Sequence, residues 1–209
     1  MQGETPMDAD AVGHQLDVSR ETLSRLKVYV DNLVRWQKRI NLVGPATIVD
    51  VWRRHILDSG QLCAFLPQRA QRIIDLGSGA GFPGLVIAIM LPASVTLVES
   101  DRRKAMFLKE TARLVGATNV EVRADRIESL DIEGDVVTAR ALAPLDRLIG
   151  YSQPMLSPQG YCLFLKGQEF EREIEEARRT WRMRVELMQS VTNSSSRILK
   201  IDEVSRVHG

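Results

Sequence analysis

Apolar residues recur at helical spacing through Leu23, Leu26, Val30, Leu33, Val34 and Ile40, and Ser19 ahead of them is a residue type that caps helix N-termini. The pattern predicts a long helix that Gly44-Pro45 breaks. A second helix is expected from Ala46-Thr47 through Val51, Trp52, His55 and Ile56, and a third from Ser59 to Leu66. Beyond a joint at Pro67–Gln71 the period changes. Strands are predicted over 72–75, 95–99, 120–123, 135–139 and 161–166, alternating with helices over 83–91, 102–115, 144–156 and 169–182. A turn at Ser157–Gly160 precedes the fifth strand. Two further strands, 184–189 and 197–203, follow in succession around the loop Ser190–Ser196. Alternation of this kind predicts an α/β fold, a mainly parallel sheet with helices on both faces, and the closing pair predicts an antiparallel strand. Residues 1–18, polar and acidic, are expected to be disordered, 19–67 to form a helical extension packed on the core, and 68–209 to form the main domain.

One junction carries more chemistry than the rest. Arg72-Ile-Ile-Asp75-Leu-Gly77-Ser-Gly79-Ala-Gly81-Phe-Pro-Gly84 reads as strand, tight turn and helix. Glycine lets a backbone approach a ligand closely, and the helix start adds unpaired N–H groups there. Gly79-x-Gly81-x-x-Gly84 matches a dinucleotide pattern, a weak signal by itself. Asp75 ends the strand, where a carboxylate repels a pyrophosphate and attracts the ammonium of a methionine moiety, directly or through water. Glu99 ends the next strand, where a carboxylate can accept both hydroxyls of a ribose. Nicotinamide sites use that acid too, so Glu99 marks a ribose and not a particular cofactor. Together Asp75, the alternating glycines Gly77, Gly79 and Gly81, and Glu99 resemble the first two motifs of class I S-adenosylmethionine-dependent methyltransferases. The resemblance implies their Rossmann-like, mainly parallel sheet over 68–209.

Composition narrows the partners little. The net charge is +1, with 44% hydrophobic and 26% charged residues, so the overall field gives no nucleic-acid signature. Basic clusters at Arg35–Arg39, Arg53-Arg54, Arg102–Lys104 and Arg178–Arg184 would form a phosphate footprint only where several converge on one cleft. No apolar run approaches the roughly 20 residues of a membrane helix, so no membrane partner is expected and a cytoplasmic location is. Cys63 and Cys162 lie in apolar surroundings and offer neither a metal site nor a disulfide framework.

Ligands of such sheets bind beyond the carboxyl ends of the strands. Asp75, Glu99, Arg140 and Lys166 fall at such ends, and Asp125-Arg126-Ile127-Glu128 follows another. Asp125 serves equally well as an adenine contact or as a turn cap. The fourth strand ends Ala139-Arg140-Ala141-Leu-Ala-Pro144 and lacks the Asp/Asn-Pro-Pro-aromatic tetrad used to methylate exocyclic amines. Neither cysteine suits the covalent route to C5 of a pyrimidine. A ring nitrogen such as guanine N7 needs neither device, because its lone pair attacks directly and catalysis reduces to alignment. His55 and Asp58, three residues apart on one helix face, read as a structural pair. Trp36 and Trp52 read as core.

Longer stretches resemble a single family, the RsmG (GidB) 7-methylguanosine methyltransferases of bacterial small-subunit ribosomal RNA. They are Trp36-Gln-Lys-Arg-Ile-Asn-Leu42, Arg54-His-Ile-Leu-Asp-Ser59, the glycine segment through Gly84, Ala139-Arg-Ala141 and Leu165-Lys-Gly167. The resemblance implies S-adenosylmethionine held by Gly77, Phe82, the backbone around Ile127 and Glu128, and Arg140, with Glu99 on the ribose. It implies 16S ribosomal RNA, in the small subunit or an assembly intermediate, as partner, and no metal is expected. Candidates for RNA contact are Arg140 and Lys166, placed at strand ends, together with Arg197 and His55. Gln37 departs from the Trp-Asn pair usual in the family. A small-molecule methyltransferase and a non-catalytic, cofactor-binding assembly factor share the cofactor motifs. An aromatic content of 5% and the basic clusters weigh against the small-molecule alternative.

Overall fold

A computed structural model describes residues 5–67 and 71–207. The joint expected at Pro67–Gln71 falls largely on residues 68–70, outside the described residues.

The sheet has seven strands: β1 (Arg72–Leu76), β2 (Ser94–Val98), β3 (Val120–Arg123), β4 (Gly134–Arg140), β5 (Leu156–Lys166), β6 (Trp181–Gln189) and β7 (Arg197–Arg206). Their order is β3-β2-β1-β4-β5-β7-β6. The first five run parallel, and β7 is antiparallel to both β5 and β6. The order reverses at β1, the switch point beyond whose carboxyl edge such sheets bind ligands. Helices α4 (Gly84–Met90), α5 (Arg102–Leu114), α6 (Leu145–Ser152) and α7 (Phe170–Ala177) connect the strands. Two buried clusters lie on the two faces, one built on Ile73, Leu85, Leu97 and Phe107, the other on Ile74, Val137, Phe164 and Leu199. Alternate residues of one strand thus serve both clusters, as period-2 geometry requires.

The N-terminal segment departs from expectation. Residues Ala9–Gln15 form a helix, α1, whose N-cap Asp8 accepts from the Ala11 N–H at 2.8 Å. Val12 is fully buried, and Asp10 pairs with Lys27 at 2.8 Å. The acids read as a disordered tail are a cap and a first-turn carboxylate, both stabilising at a helix start. Helix α2 (Arg20–Gln37) is capped by Ser19 Oγ on the Thr22 N–H. The two helices expected over 46–66 are one run of tight turns: a 3-10 stretch (Pro45–Asp50), a π-helical turn (Trp52–Leu57), the single turn α3 (Asp58–Gly60) and a 3-10 stretch (Gln61–Phe65).

Two later boundaries also shift. Residues 157–160 loop out inside β5, because Leu156 pairs with Gly134 while Tyr161 pairs with Val136. Helix α7 stops at Ala177, and Trp181 opens β6, its ring buried and its indole N–H on Asp146 at 3.0 Å. Burial of that ring overrides the helical pattern that sequence periodicity extends to residue 182.

Helix α2 belongs to the same packing as the sheet. Leu26, Tyr29 and Leu33 are fully buried; Tyr29 packs on Phe82 and Phe107; Arg25 Nε donates to the Val115 carbonyl at 2.7 Å; Asn32 Nδ2 donates to Thr111 Oγ1 at 2.9 Å. Leu33→Ala is expected to cost about 2–5 kcal/mol, whereas exposed Val28→Ala stays within about 0.5 kcal/mol. Urea unfolding followed by circular dichroism and by tryptophan fluorescence should give coincident single transitions. Separate transitions would make the extension an independent unit.

Candidate functional site

The chain leaves β1 at Leu76 and turns three times through the left-handed region, at Gly77 (φ 63°), Gly79 (φ 57°) and Gly81 (φ 96°). The outer two glycines are dictated by packing. A Cβ at Gly77 would lie 2.5 Å from Leu142 Cδ1, and one at Gly81 would lie 2.7 Å from the Tyr29 hydroxyl. At Gly79 nothing lies nearer than 3.8 Å, so that residue faces open space. Ser78 ties the turn down: its N–H donates to the Val98 carbonyl at 3.0 Å and its hydroxyl to the Asp75 carbonyl at 2.9 Å. Glu99 supports it from β2, Oε2 accepting from the Gly79 N–H and Oε1 from the Asp101 N–H, each at 2.8 Å.

Asp75 takes a different place from the one expected. It is fully buried behind the loop, Oδ1 accepting from Thr138 Oγ1 at 2.8 Å while Oδ2 has no hydrogen-bond partner. Burial pushes its pKa up to about 6. The parallel register sets Asp75 beside Thr138, and α4 begins directly over it, since a Cβ at Gly84 would fall 2.6 Å from Asp75 Cβ. Asp75 is thus part of the foundation of the loop and lines neither of the cavities described below.

At the end of β4, Arg140 gathers groups from three parts of the chain. Nη2 donates to His55 Nδ1 at 2.8 Å, and Nη1 reaches the Arg54 carbonyl at 3.0 Å and Asp58 Oδ2 at 3.3 Å. Its guanidinium lies 5.0 Å from the centroid of the Phe82 ring. Phe82 stacks on His55 at 4.9 Å and on Tyr29 at 5.4 Å, an aromatic column. Burial, then the charges of Arg140 and Arg54, lower the His55 pKa to about 3, so the ring is neutral. Because Arg140 can only donate, Nδ1 is the acceptor and the proton sits on Nε2. Nε2 then donates to Thr47 Oγ1 at 2.8 Å, and Thr47 donates to the Gly44 carbonyl at 2.7 Å. The expected His55–Asp58 pair is replaced by a shared partner: both serve Arg140. Asp58 Oδ1 meanwhile accepts from Thr192 Oγ1 at 2.6 Å and Gln61 Nε2 at 3.0 Å.

Two cavities meet over the glycine loop, sharing Gly77, Gly79 and Ala141. The smaller, about 380 Å³, is walled by His55, Asp58, Phe82, Arg140 and Thr192. The larger, about 730 Å³, is walled by Glu99, Arg126, Ile127, Glu128, Leu142 and Tyr151. At its rim Tyr151 donates to Glu128 at 2.9 Å and accepts from Arg147 Nε at 2.6 Å. Asp125 also lines it and accepts from Arg123 Nε at 3.1 Å; the turn beginning at Ile127 has no side-chain cap.

The remaining RNA candidates are engaged within the fold. Lys166 is 8% exposed, with Nζ 2.5 Å from Glu173 Oε2 and 3.0 Å from the Ala143 carbonyl. Arg197 lies over the Phe170 ring at 5.2 Å and donates to the Ser194 and Ser196 carbonyls. Gln37, a departure by sequence, holds the cavity wall with both ends of its amide. Oε1 accepts from the Leu42 and Val43 N–H groups at 3.0 and 3.1 Å, and Nε2 donates to the Val43 carbonyl at 2.8 Å. Thr47, Leu142, Tyr151 and Thr192 had no motif to mark them. A polar residue closing a helix just before a turn was the available signal for Gln37.

The strand order with its one antiparallel insertion, the glycine turn after β1 and the acid after β2 together define the class I methyltransferase fold. A ribosomal protein L11 methylase from Lactobacillus delbrueckii subsp. bulgaricus superposes with a TM-score of 0.60 at 19% identity, over 74% of this chain and 80% of that one. TYW2 of M. jannaschii, solved in complex with AdoMet, superposes with a TM-score of 0.57 at 14% identity, over 81% and 80%. Residues 22–201 match the GidB family, rRNA small subunit methyltransferase G, and the chain belongs to that family. It is 53% identical over 190 residues to the ribosomal RNA small subunit methyltransferase G of Paramagnetospirillum magneticum, covering 90% of this chain and 92% of that one. The Rhodospirillum rubrum counterpart is 47% identical over 201 residues, covering 96% and 100%.

The buried Asp75 has a pH signature. Its folded pKa of about 6 exceeds the ordinary 3.8, so the folded state binds this proton more tightly. Its contribution to stability is therefore complete below the unfolded value and is lost as pH rises through about 6. Between pH 3.5 and 7 the stability of Asp75→Asn relative to wild type should rise by up to about 3 kcal/mol. Urea titrations of both proteins across that range check it; a pH-independent difference would contradict the buried, titrating carboxyl.

Proposed function

We propose that the chain transfers the methyl group of S-adenosylmethionine to N7 of a guanine in 16S ribosomal RNA, within the small subunit or an assembly intermediate. Membership of the small-subunit RNA methyltransferase family supports the substrate. The meeting of two cavities on one glycine loop supports the arrangement, the larger for the adenosyl group and the smaller for the target base. The larger fits a nucleoside: Glu99 stands on its wall, and each of its oxygens, already holding one N–H, keeps a lone pair for a ribose hydroxyl. The backbone around Ile127 and Glu128 is suited to the adenine edge. Gly79, where a Cβ would meet only the Gly77 carbonyl at 3.8 Å, leaves room for close approach between the cavities.

S-adenosylmethionine supplies an electrophilic sulfonium methyl when bound. What the chain supplies is placement. On the wall of the smaller cavity the groups that could take a proton are tied into the fold: His55 Nδ1 accepts from Arg140, and Asp58 accepts from Arg140, Thr192 and Gln61. No cysteine lines either cavity. A site in which both groups serve to hold Arg140 supports the N7 reading, since a ring nitrogen gives up no proton as it is methylated. Arg140 fixes the floor of the base cavity by holding His55 and Asp58 apart and capping the face of Phe82.

Incubation of unmodified small subunits with labelled S-adenosylmethionine, followed by digestion and mass spectrometry, should place the label in 7-methylguanosine. Label in another nucleoside would overturn the N7 reading. Single-turnover rates should carry no His55 titration between pH 5.5 and 8, because its pKa lies at about 3.

Glu99→Ala removes both the ribose acceptor and the support of Gly79. It is expected to weaken S-adenosylmethionine binding by roughly 1–3 kcal/mol for the hydrogen bonds alone, read by calorimetry. Arg140→Lys should lower the methyl-transfer rate at least about tenfold, since one ammonium cannot reproduce the planar fork that holds His55, Asp58 and the Arg54 carbonyl together. A wild-type rate in that variant would remove Arg140 from the site.

A further inference from the structure

The segment Ala141–Pro144 between β4 and α6 is the one stretch whose first residue, Ala141, borders both cavities and also a third, of about 590 Å³, behind them. Ala141 adopts φ 52°, a left-handed conformation that costs a non-glycine residue about 1 kcal/mol or more. Leu142 lies against Gly77, whose Cβ, if present, would meet it at 2.5 Å. This loop therefore shapes the glycine turn from above, and a strained loop needs an external hold.

The hold comes from Lys166, at the end of β5, and Glu173, on α7. Lys166 Nζ donates to the Ala143 carbonyl at 3.0 Å, and Glu173 Oε2 accepts the Leu145 N–H at 2.7 Å. The two side chains pair with each other at 2.5 Å and are only 8% and 16% exposed. Pro144 precedes α6 and provides no side-chain cap, so Glu173 supplies from another helix the acceptor that the first free N–H of α6 lacks. Both ends of the loop's exit are thus gripped by one shielded ion pair.

We infer that Lys166 and Glu173 are positioning residues for this loop, and that through Leu142 and Ala143 they set affinity for the adenosyl cofactor. This replaces the expectation that Lys166 contacts RNA phosphate, and it rests on the larger cavity being the cofactor site. Lys166 lines the third cavity, but its charge is taken up within the fold: a phosphate entering there would have to compete with Glu173 and the Ala143 carbonyl for the ammonium.

Calorimetry with S-adenosylhomocysteine and single-turnover methylation of small subunits, applied to Lys166→Met, Lys166→Arg, Glu173→Gln and Glu173→Ala, tests the inference. Lys166→Met and Glu173→Ala should each raise the cofactor Kd about tenfold or more, equivalent to about 1.4 kcal/mol. The KM for RNA and its salt dependence should stay unchanged. Glu173→Gln keeps an acceptor for the Leu145 N–H and should lose less, and Lys166→Arg should restore most of the affinity. The double variant Lys166→Met with Glu173→Ala should be far less than additive, because both grip one loop. Two results would overturn the inference. One is an unchanged cofactor Kd in Lys166→Met with a raised RNA KM and a shallower salt slope, the mark of a lost phosphate contact. The other is a lowered melting temperature in the folded variants with unchanged Kd, the mark of a purely structural pair. Failure of the wild-type protein to bind S-adenosylhomocysteine would instead refute the cofactor reading on which the inference rests.

Discussion

A positive charge on the wall of the smaller cavity organises the site. The Arg140 side chain is only 18% exposed, and a guanidinium so far removed from water requires partners for its fork. The partners come from distant chain segments: the Arg54 carbonyl, His55 and Asp58 from the turns of the extension, and Phe82 from the glycine loop. Each partner is in turn fixed by another, His55 by Thr47 and Asp58 by Thr192 and Gln61. The wall of the smaller cavity is therefore one hydrogen-bonded network, in which a shift at one member leaves a buried polar group unpaired elsewhere.

The same network explains why the extension cannot be treated as an appendage. Helix α2 places Tyr29 under Phe82, and the Tyr29 hydroxyl donates to the Ala80 carbonyl within the glycine loop. His55 also stacks on Phe82, with ring centroids 4.9 Å apart. The extension thus buries apolar surface and shapes the site at once. Gly81 is a glycine because Tyr29 occupies the space that a side chain would need.

Two strand-end acids of similar appearance reach different ends. Asp75 and Glu99 both terminate parallel strands, but α4 starts directly over Asp75 and shuts it away from solvent, where its pKa rises. Glu99 remains on the wall of the larger cavity, its oxygens held by the N–H groups of Gly79 and Asp101. Both strand-end cations are paired, Lys166 with Glu173 and Arg140 with Asp58, but only Arg140 also lines the smaller cavity beside the glycine loop. Position at a strand end brings a residue to the ligand-binding edge; whether it meets ligand depends on what packs over it.

Much was legible without coordinates. Periodicity gave the alternating strands and helices, the antiparallel close and the long α2, because strand and helix periods differ and each buried face must be apolar. Glycine spacing located the turn after β1, since Gly77, Gly79 and Gly81 all take the left-handed conformation that favours glycine. Local signals misled where tertiary burial outweighed them. Val12 draws an acidic segment into a helix and Trp181 ends α7 early, whereas the turn read at 157–160 is present as a bulge within β5. The partners of Arg140, Lys166 and Gln37 could not be read at all, because each contact joins residues set by how helices and loops pack over the sheet. Spacing along the chain determines which residues share a strand end or a helix face. Desolvation and hydrogen-bond satisfaction, which depend on every neighbour in three dimensions, decide which of those residues remain available for chemistry.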